Sequence, residues 1–194
     1  MMKIGIGVPC YKEDVDIAER YVLPSISRLN PQPHKVFIYV NDCGLKKART
    51  HIFDKLLIEG DCDVALQACT DYYFFPKILR HVDPNNVVTF CAMTTTPIVS
   101  MSMMVGRNLS KKPWTGCYSI PRQVWKRVRE NQKWDGTDSS VQKSLGGNFK
   151  YTRFPNYMLR RVNSGHVLSA VSLPDWRNRR FHQRALKMIQ ALKI

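Results

Sequence analysis

The sequence is poor in acidic residues. Its 194 residues include 15 Asp and Glu against 30 Lys and Arg, so the formal net charge is +15 at pH 7. A chain with this balance attracts polyanions, which include nucleic acids, anionic membrane surfaces and phosphorylated substrates. The charge alone does not choose among these partners. A carboxylate in an apolar segment of such a chain is a candidate for binding a cation, because a lone acid is costly to bury unless a cation pairs with it.

Paired cysteine motifs are absent from the sequence. The six cysteines are Cys10, Cys43, Cys62, Cys69, Cys91 and Cys117. None of them forms a Cys-x-x-Cys pair, which argues against a zinc finger or zinc ribbon. We expect reduced thiols in a cytoplasmic protein. Residues 1–8 are too short, and too soon followed by Pro9 and charged residues, for a signal peptide, so we expect a strand there.

Internal repeats and low-complexity linkers are absent too, so the sequence predicts one main domain, residues 1–175. One uncharged run, residues 87–106, has the length of a membrane-spanning helix. Its Ser and Thr residues and a central Pro97 make it only weakly hydrophobic, and we predict two buried strands with a turn at residues 94–97. Residues 176–194 predict a basic amphipathic helix, which could lie on an anionic membrane or pack on its own domain.

Apolar periodicity predicts an alternation of strands and helices along the first third of the chain. Strands are predicted at residues 2–8, 35–40 and 64–69, and helices at 13–29, interrupted by Pro24, and at 46–57. Short connections between such elements predict a parallel sheet covered by helices. Later segments predict helices at 122–129 and 139–145 and an edge strand at 149–154.

One carboxylate, Asp71, follows the third predicted strand closely. Ligands of open α/β sheets bind at the carboxyl ends of the strands, and a divalent metal that carries phosphate oxygens would suit an acid among apolar and aromatic residues. The alternative is that Asp71 caps the next helix, because Pro76 and residues 77–82 look like a helix start.

The order of these features resembles the GT-A glycosyltransferases, especially the family 2 type that takes a sugar from a nucleotide-diphosphate donor. Residues 8–14, VPCYKED, are similar to the first-strand motif VPxYNEE of that family. Residues 40–44, VNDCG, match VDDGS, whose second acid contacts the nucleotide base. Residues 69–71, CTD, fall at the DxD position, and residues 136–138, GTD, fall where the family has its catalytic acid. The resemblance covers roughly residues 3–145.

This resemblance implies an α/β fold: a single GT-A domain with a Rossmann-like, mostly parallel sheet flanked by helices. It implies metal-assisted transfer from a UDP- or GDP-sugar to a hydroxyl of an unknown glycan, lipid or protein acceptor. We favour an inverting mechanism, and a retaining mechanism, in which the catalytic acid would have a different role, is the alternative. Asp71 would hold Mn²⁺ or Mg²⁺ against the diphosphate. His166 resembles the late histidine that completes the metal shell in many GT-A enzymes, and its alternative is a surface loop histidine.

Two acids are candidates for the general base that takes the proton of the acceptor hydroxyl. We favour Asp138, because Gly136 permits a tight loop that projects the next acid, and Asp135 is the reserve. The residues that the resemblance implies for nucleotide binding are Pro9, Tyr11, Glu13, Asp42 and Asp71. Within that set, Tyr11 could stack on the base or simply pack at the sheet edge.

One position departs from the family pattern: Cys69 replaces the first acid of DxD, which puts the contact to the donor ribose in doubt. Residues 61–63, DCD, spell DxD literally, but they precede the predicted strand, and we interpret them as a turn. A catalytically degenerate relative is therefore an alternative.

Two further functions compete with sugar transfer. A nucleic-acid-binding protein would use the positive charge on phosphates and stack Trp114, Trp125 and Trp134 on bases, an interpretation that we do not favour. A nucleotidyltransferase would have a Gly-rich loop after its first strand, where this chain has Pro-Cys-Tyr at residues 9–11.

Overall fold

A computed structural model describes residues 1–67, 69–70, 72–74, 76–90, 92–94, 117–145, 149–151 and 158–160. Its strands are β1 (Ile4–Cys10), β2 (Lys35–Val40), β3 (Val64–Gln67), β4 (Tyr72–Phe74), β5 (Val87–Thr89), β6 (Ala92–Thr94), β7 (Tyr118–Pro121), β8 (Phe149–Tyr151) and β9 (Met158–Arg160). Its helices are α1, in consecutive turns Lys12–Asp14, Val15–Ile17, Ala18–Val22 and Leu23–Ile26; α2, Leu45–Phe53 with a wider turn Asp54–Ile58; α3, Arg122–Arg129; and α4, Asp138–Leu145. A 3₁₀ turn covers Ile78–His81.

The described strands form two sheets. The larger has six strands in the order β2-β1-β3-β7-β5-β8, and the smaller has the order β4-β9-β6. Strands β2, β1 and β3 run parallel, with Ile6 level with Val36 on one side and with Leu66 on the other. Strand β7 is antiparallel to both β3 and β5, and β8 is parallel to β5. The βαβαβ half of the sheet confirms the Rossmann-like prediction.

Alternation along β1 explains how helices cover both faces of the sheet. Ile4, Ile6 and Val8 face one apolar cluster, which includes Val22 and Ile26 of α1. The two glycines between them face α2, and a Cβ at Gly7 would lie 2.1 Å from Cγ2 of Ile52. Helix α2 therefore packs directly on the backbone of β1, and Ile52, Phe53, Leu56 and Leu57 join a second cluster with Trp125 of α3.

Prolines stand at two places where the observed elements differ from the predicted ones. Strand β1 runs on through Pro9, which is level with Tyr39 of β2 but lies beyond Gly7, the last residue of β1 that pairs with β3. The missing amide proton therefore breaks no pairing with β3. Helix α1 takes a wide π turn, Ala18–Val22, just before Pro24, because proline clashes with the carbonyl four residues back.

The uncharged run contributes a strand to each sheet. Strand β5 ends near Phe90, whose amide donates to the Cys117 carbonyl at 3.2 Å, and β6 then pairs with β9 in the small sheet. The chain thus changes sheets between β5 and β6. The turn predicted at residues 94–97 lies almost entirely outside the described residues. Among the described residues no helix is long and apolar enough to span a bilayer. The predicted helix within 176–194 lies outside the described residues.

Candidate active site

The first two motif segments meet at the carboxyl edge of the parallel strands. The amide of Asn41 donates to the Cys10 carbonyl at 3.0 Å, which continues the β1–β2 pairing into the loops. The Lys12 amide donates to Oδ1 of Asp42 at 3.3 Å, and its Nζ lies 3.6 Å from Oδ2 of the same carboxylate. Asp42, a predicted nucleotide ligand, is therefore held beside the segment that carries Tyr11 and Glu13.

The third motif segment joins the first through Thr70. This buried hydroxyl donates to Oδ2 of Asp14 at 3.2 Å. Tyr11 stands three residues before Asp14 and is 41% exposed, so its ring is accessible for stacking on a base. Asp71, which follows Thr70 in sequence, lies outside the described residues, so its roles toward nucleotide and metal stay predictions.

The fourth motif segment, residues 134–138, packs on the beginning of α2. The indole nitrogen of Trp134 donates to Oγ1 of Thr50 at 3.0 Å. Gly136 has a φ of 89°, and a Cβ there would lie 2.4 Å from Cα of Lys46. Nη1 of Arg49 donates to the Gly136 carbonyl at 2.6 Å. The loop that carries both candidate bases is thus fixed to the helix that follows Asp42.

The structure describes the surroundings of Asp135, the reserve candidate for the base. Oδ1 of Asp135 accepts from the Thr137 amide at 2.8 Å and from the Thr137 hydroxyl at 2.6 Å. These two bonds from Thr137, the hydroxyl first, lower the pKa of Asp135 to about 2. Such a carboxylate anchors the turn and has little affinity for a proton. Asp138 is the first residue of α4. The role of Asp138 as the base stays a prediction.

The literal DxD sequence lies at the opposite edge of the sheet. Oδ2 of Asp63 accepts from the Lys3 amide at 2.8 Å, and Oδ2 of Asp61 accepts from Nζ of Lys3 at 2.6 Å. Nε2 of His34 lies 2.9 Å from Oδ1 of Asp61. The bond from Lys3, followed by the one from His34, lowers the pKa of Asp61 to about 2. These acids precede β3 and tie its start to β1, which confirms their interpretation as a turn.

A metal site is not formed by the described residues, which contain no group of three His, Cys, Asp or Glu side chains suited to hold an ion. The predicted ligands Asp71 and His166 both lie outside the described residues. Metal binding therefore stays a prediction.

Sequence reasoning missed Arg49, which contacts two of these segments. It is 2% exposed, and its Nη2 also lies 4.0 Å from Sγ of Cys69. A signal was present in the sequence: Arg49 stands three and four residues before Ile52 and Phe53, on the inward face of an amphipathic helix. A guanidinium in that position must be satisfied by polar groups of other segments.

Two glycines with similar φ angles allow a test of the contact between Gly136 and α2. A Cβ added at Gly44, which has a φ of 85°, would meet nothing within 4 Å, whereas a Cβ at Gly136 would lie against the Lys46 backbone. We expect Gly44→Ala to lower the free energy of unfolding by about 1–3 kcal/mol through backbone strain alone. Gly136→Ala should cost more, because it adds a steric clash to the same strain. Urea denaturation of both variants measures the difference, and equal losses would contradict the packing described here.

Solved structures of glycosyltransferases have the fold described above, which is the GT-A fold that the sequence predicted. A crystal structure of TarS from S. aureus matches with a TM-score of 0.56 at 11% identity, over 83% of this chain and 37% of that one. Residues 1–349 of TarS in complex with UDP-GlcNAc match with a TM-score of 0.54 at 11% identity, over 89% and 62%. This chain therefore spans less than two thirds of the TarS chains that it matches.

A second glycosyltransferase is similar over nearly its whole length. It is described as involved in the glycosylation of the major capsid of PBCV-1, and it matches with a TM-score of 0.53 at 12% identity, over 93% of this chain and 99% of that one. No model of a protein family matches the sequence, and no curated protein matches it either. Identities this low establish the fold alone.

Proposed function

We propose that this protein is a glycosyltransferase that takes a sugar from a nucleoside-diphosphate donor, with a UDP-sugar as first candidate and a GDP-sugar as second. The observation that carries the proposal is the meeting of four motif segments at one edge of the sheet, through the Lys12–Asp42, Thr70–Asp14 and Arg49–Gly136 contacts. The similarity to TarS supports UDP, since TarS has been solved in complex with UDP-GlcNAc and with UDP.

Each segment would have a distinct task in the reaction. The exposed ring of Tyr11 stacks on the nucleotide base, and Asp42 accepts a hydrogen bond from the same base. Pro9 and Glu13 border the ribose. Asp138 accepts the proton of the acceptor hydroxyl as that oxygen attacks the sugar, which inverts the anomeric carbon. Mn²⁺ or Mg²⁺, held by Asp71 and His166, would supply positive charge at the leaving diphosphate.

The nucleic-acid alternative loses part of its support. Trp125 and Trp134 are buried and pack against each other with ring centroids 5.4 Å apart, so these two rings are not open to stack on bases. Trp114 lies outside the described residues. The excess positive charge fits a phosphorylated donor. We further expect a cytoplasmic enzyme with an anionic acceptor, or one that contacts an anionic membrane peripherally through residues 176–194.

A thermal-shift panel tests the proposal. UDP, GDP and their sugars are compared with and without Mn²⁺, and one of these nucleotides should raise Tm in a metal-dependent way. A ligand at 100 times its Kd adds about 2.7 kcal/mol to the free energy of unfolding. Because a chain of charge +15 binds polyanions without selectivity, CDP and ADP are the matched controls. Equal shifts with all four nucleotides, or a larger shift with a short oligonucleotide, would contradict the proposal.

A further inference from the structure

Arg49 is a buried cation on an apolar helix face. It lies on the side of α2 that carries Ile52 and Phe53, which are fully buried in the second cluster. Removing a guanidinium from water costs several kcal/mol unless its donors are satisfied. An apolar residue would pack at this site with less cost, so the contacts of the guanidinium are informative about its role.

Three separate segments converge on this one planar group. Nη1 donates to the Gly136 carbonyl at 2.6 Å, just before α4. Nη2 lies 4.0 Å from Sγ of Cys69, just after β3. Cζ lies 5.8 Å from the ring centroid of Tyr118 at the start of β7, within the range of a cation–π contact. Tyr118 is level with Gln67, the last residue of β3, so all three contacts lie at the carboxyl edge of β3.

We propose that Arg49 is a positioning residue, which sets the distance between the donor side and the acceptor side of the active site. The donor side is the Cys69–Thr70 segment that leads to Asp71, and the acceptor side is the Gly136 segment that leads to Asp138. This inference rests on the proposed function and adds a residue to it. Because Arg49 is buried, it acts through these two segments and not on the sugar nucleotide itself.

Geometry explains why arginine is suited to this role. The guanidinium is planar and carries donors that point in different directions, so it can serve Gly136 and Cys69 at once. Lysine keeps the charge but presents one compact ammonium on a flexible stem, and it can keep one contact only at the expense of the other. Arg49→Lys should therefore leave the helix intact and loosen the relation between the two segments.

Arg122 offers a matched control at the other end of β3. Its Nη2 and Nε donate to the Cys62 carbonyl at 2.7 and 3.0 Å, and Nη2 lies 3.4 Å from the Gly60 carbonyl. It too is an arginine that joins a helix to a loop through backbone carbonyls, but that loop precedes β3. Arg122→Lys should cost stability without changing the active site.

Kinetics and hydrogen exchange together test the proposal. We expect Arg49→Lys to lower kcat by about 10- to 100-fold, the effect of a misplacement near 1 Å, with a much smaller change in donor KM. Arg122→Lys should leave both parameters near those of the wild type. In ligand-free protein, exchange should rise in residues 66–74 and 134–145 of Arg49→Lys, and in residues 60–63 and 121–129 of Arg122→Lys.

The outcomes separate this inference from the proposed function. Weaker donor binding at unchanged kcat would overturn the inference and make Arg49 a donor ligand. Equal exchange patterns in the two variants would also overturn the inference. If the wild type neither binds nucleotide nor transfers sugar, the proposed function fails, while the exchange data still decide whether Arg49 couples the two segments. If Arg49→Lys does not fold, Arg49→Ala with added methylguanidinium replaces it: recovery of kcat or of exchange protection supports the proposal, and no recovery overturns it.

Discussion

Asp138→Asn should reduce sugar transfer by about 10²- to 10⁴-fold, the contribution of a positioned general base. Asparagine keeps the size and hydrogen-bonding reach of the side chain but cannot take the acceptor proton. Donor binding should be unchanged, because the substitution alters only the proposed base and not the Asp42 and Thr70 segments, which would form the donor side. Release of the nucleoside diphosphate measures transfer, and the thermal shift with UDP measures donor binding.

Asp135→Asn is the control for this prediction. The amide oxygen of asparagine can still accept from the Thr137 amide and hydroxyl, but these bonds lose their charge assistance, at a cost of about 1 kcal/mol each at most at this exposed site. We expect a less stable protein that retains transfer. If Asp135→Asn is the inactive variant and Asp138→Asn retains transfer, the two acids exchange roles and the low pKa of Asp135 is no guide to its function.

The parallel half of the fold was predictable because its residues repeat at the period of their elements. Strand β2 and helix α3 occupy the predicted ranges, and α2 and β3 end within a few residues of them. Gly5 and Gly7 alternate with isoleucines in β1, and this alternation already separates the face covered by α1 from the face against α2. In these segments the apolar residues repeat at the period of one type of element, which is why strand and helix could be told apart from the sequence.

The rest of the fold depends on contacts that no local pattern records. The small sheet consists of three-residue strands, β4, β9 and β6, and three residues are too few to display a period. The antiparallel pairing of β7 with β3 and β5 joins segments that are far apart in the sequence, and no local pattern records its direction. The expected helix at 77–82 is only a 3₁₀ turn, Ile78–His81, which ends where Val82 takes up an extended backbone.

The candidate site shows the same division between local and distant information. The motif segments were found from sequence because each has its own order of Pro, Gly and acids. The Thr70–Asp14 and Arg49–Gly136 bonds join residues that are 56 and 87 positions apart, and only the fold brings them together. Cys69 illustrates the limit: the sequence shows a cysteine where the family that it resembles has an acid, while the structure shows that this position lies beside the guanidinium of Arg49.

Asp71→Asn should abolish the metal-dependent part of nucleotide stabilisation. A hard divalent cation prefers carboxylate oxygens, and the neutral amide lowers the charge of the site that would hold it. The Thr70 contact to Asp14 should survive, because it does not involve the changed side chain, so the variant should fold with a Tm close to that of the wild type. The thermal shift with UDP should then be the same with Mn²⁺ as without it.

The literal motif at residues 61–63 provides a matched control, Asp63→Asn. This acid occupies the third position of Asp-Cys-Asp, as Asp71 does in Cys-Thr-Asp, but it accepts from the Lys3 amide at the opposite edge of the sheet. Asp63→Asn should lose some stability and keep the full response to UDP and Mn²⁺. A response lost in Asp63→Asn and kept in Asp71→Asn would move the cation to the other edge, because a bound metal must lie within reach of the carboxylate whose removal releases it.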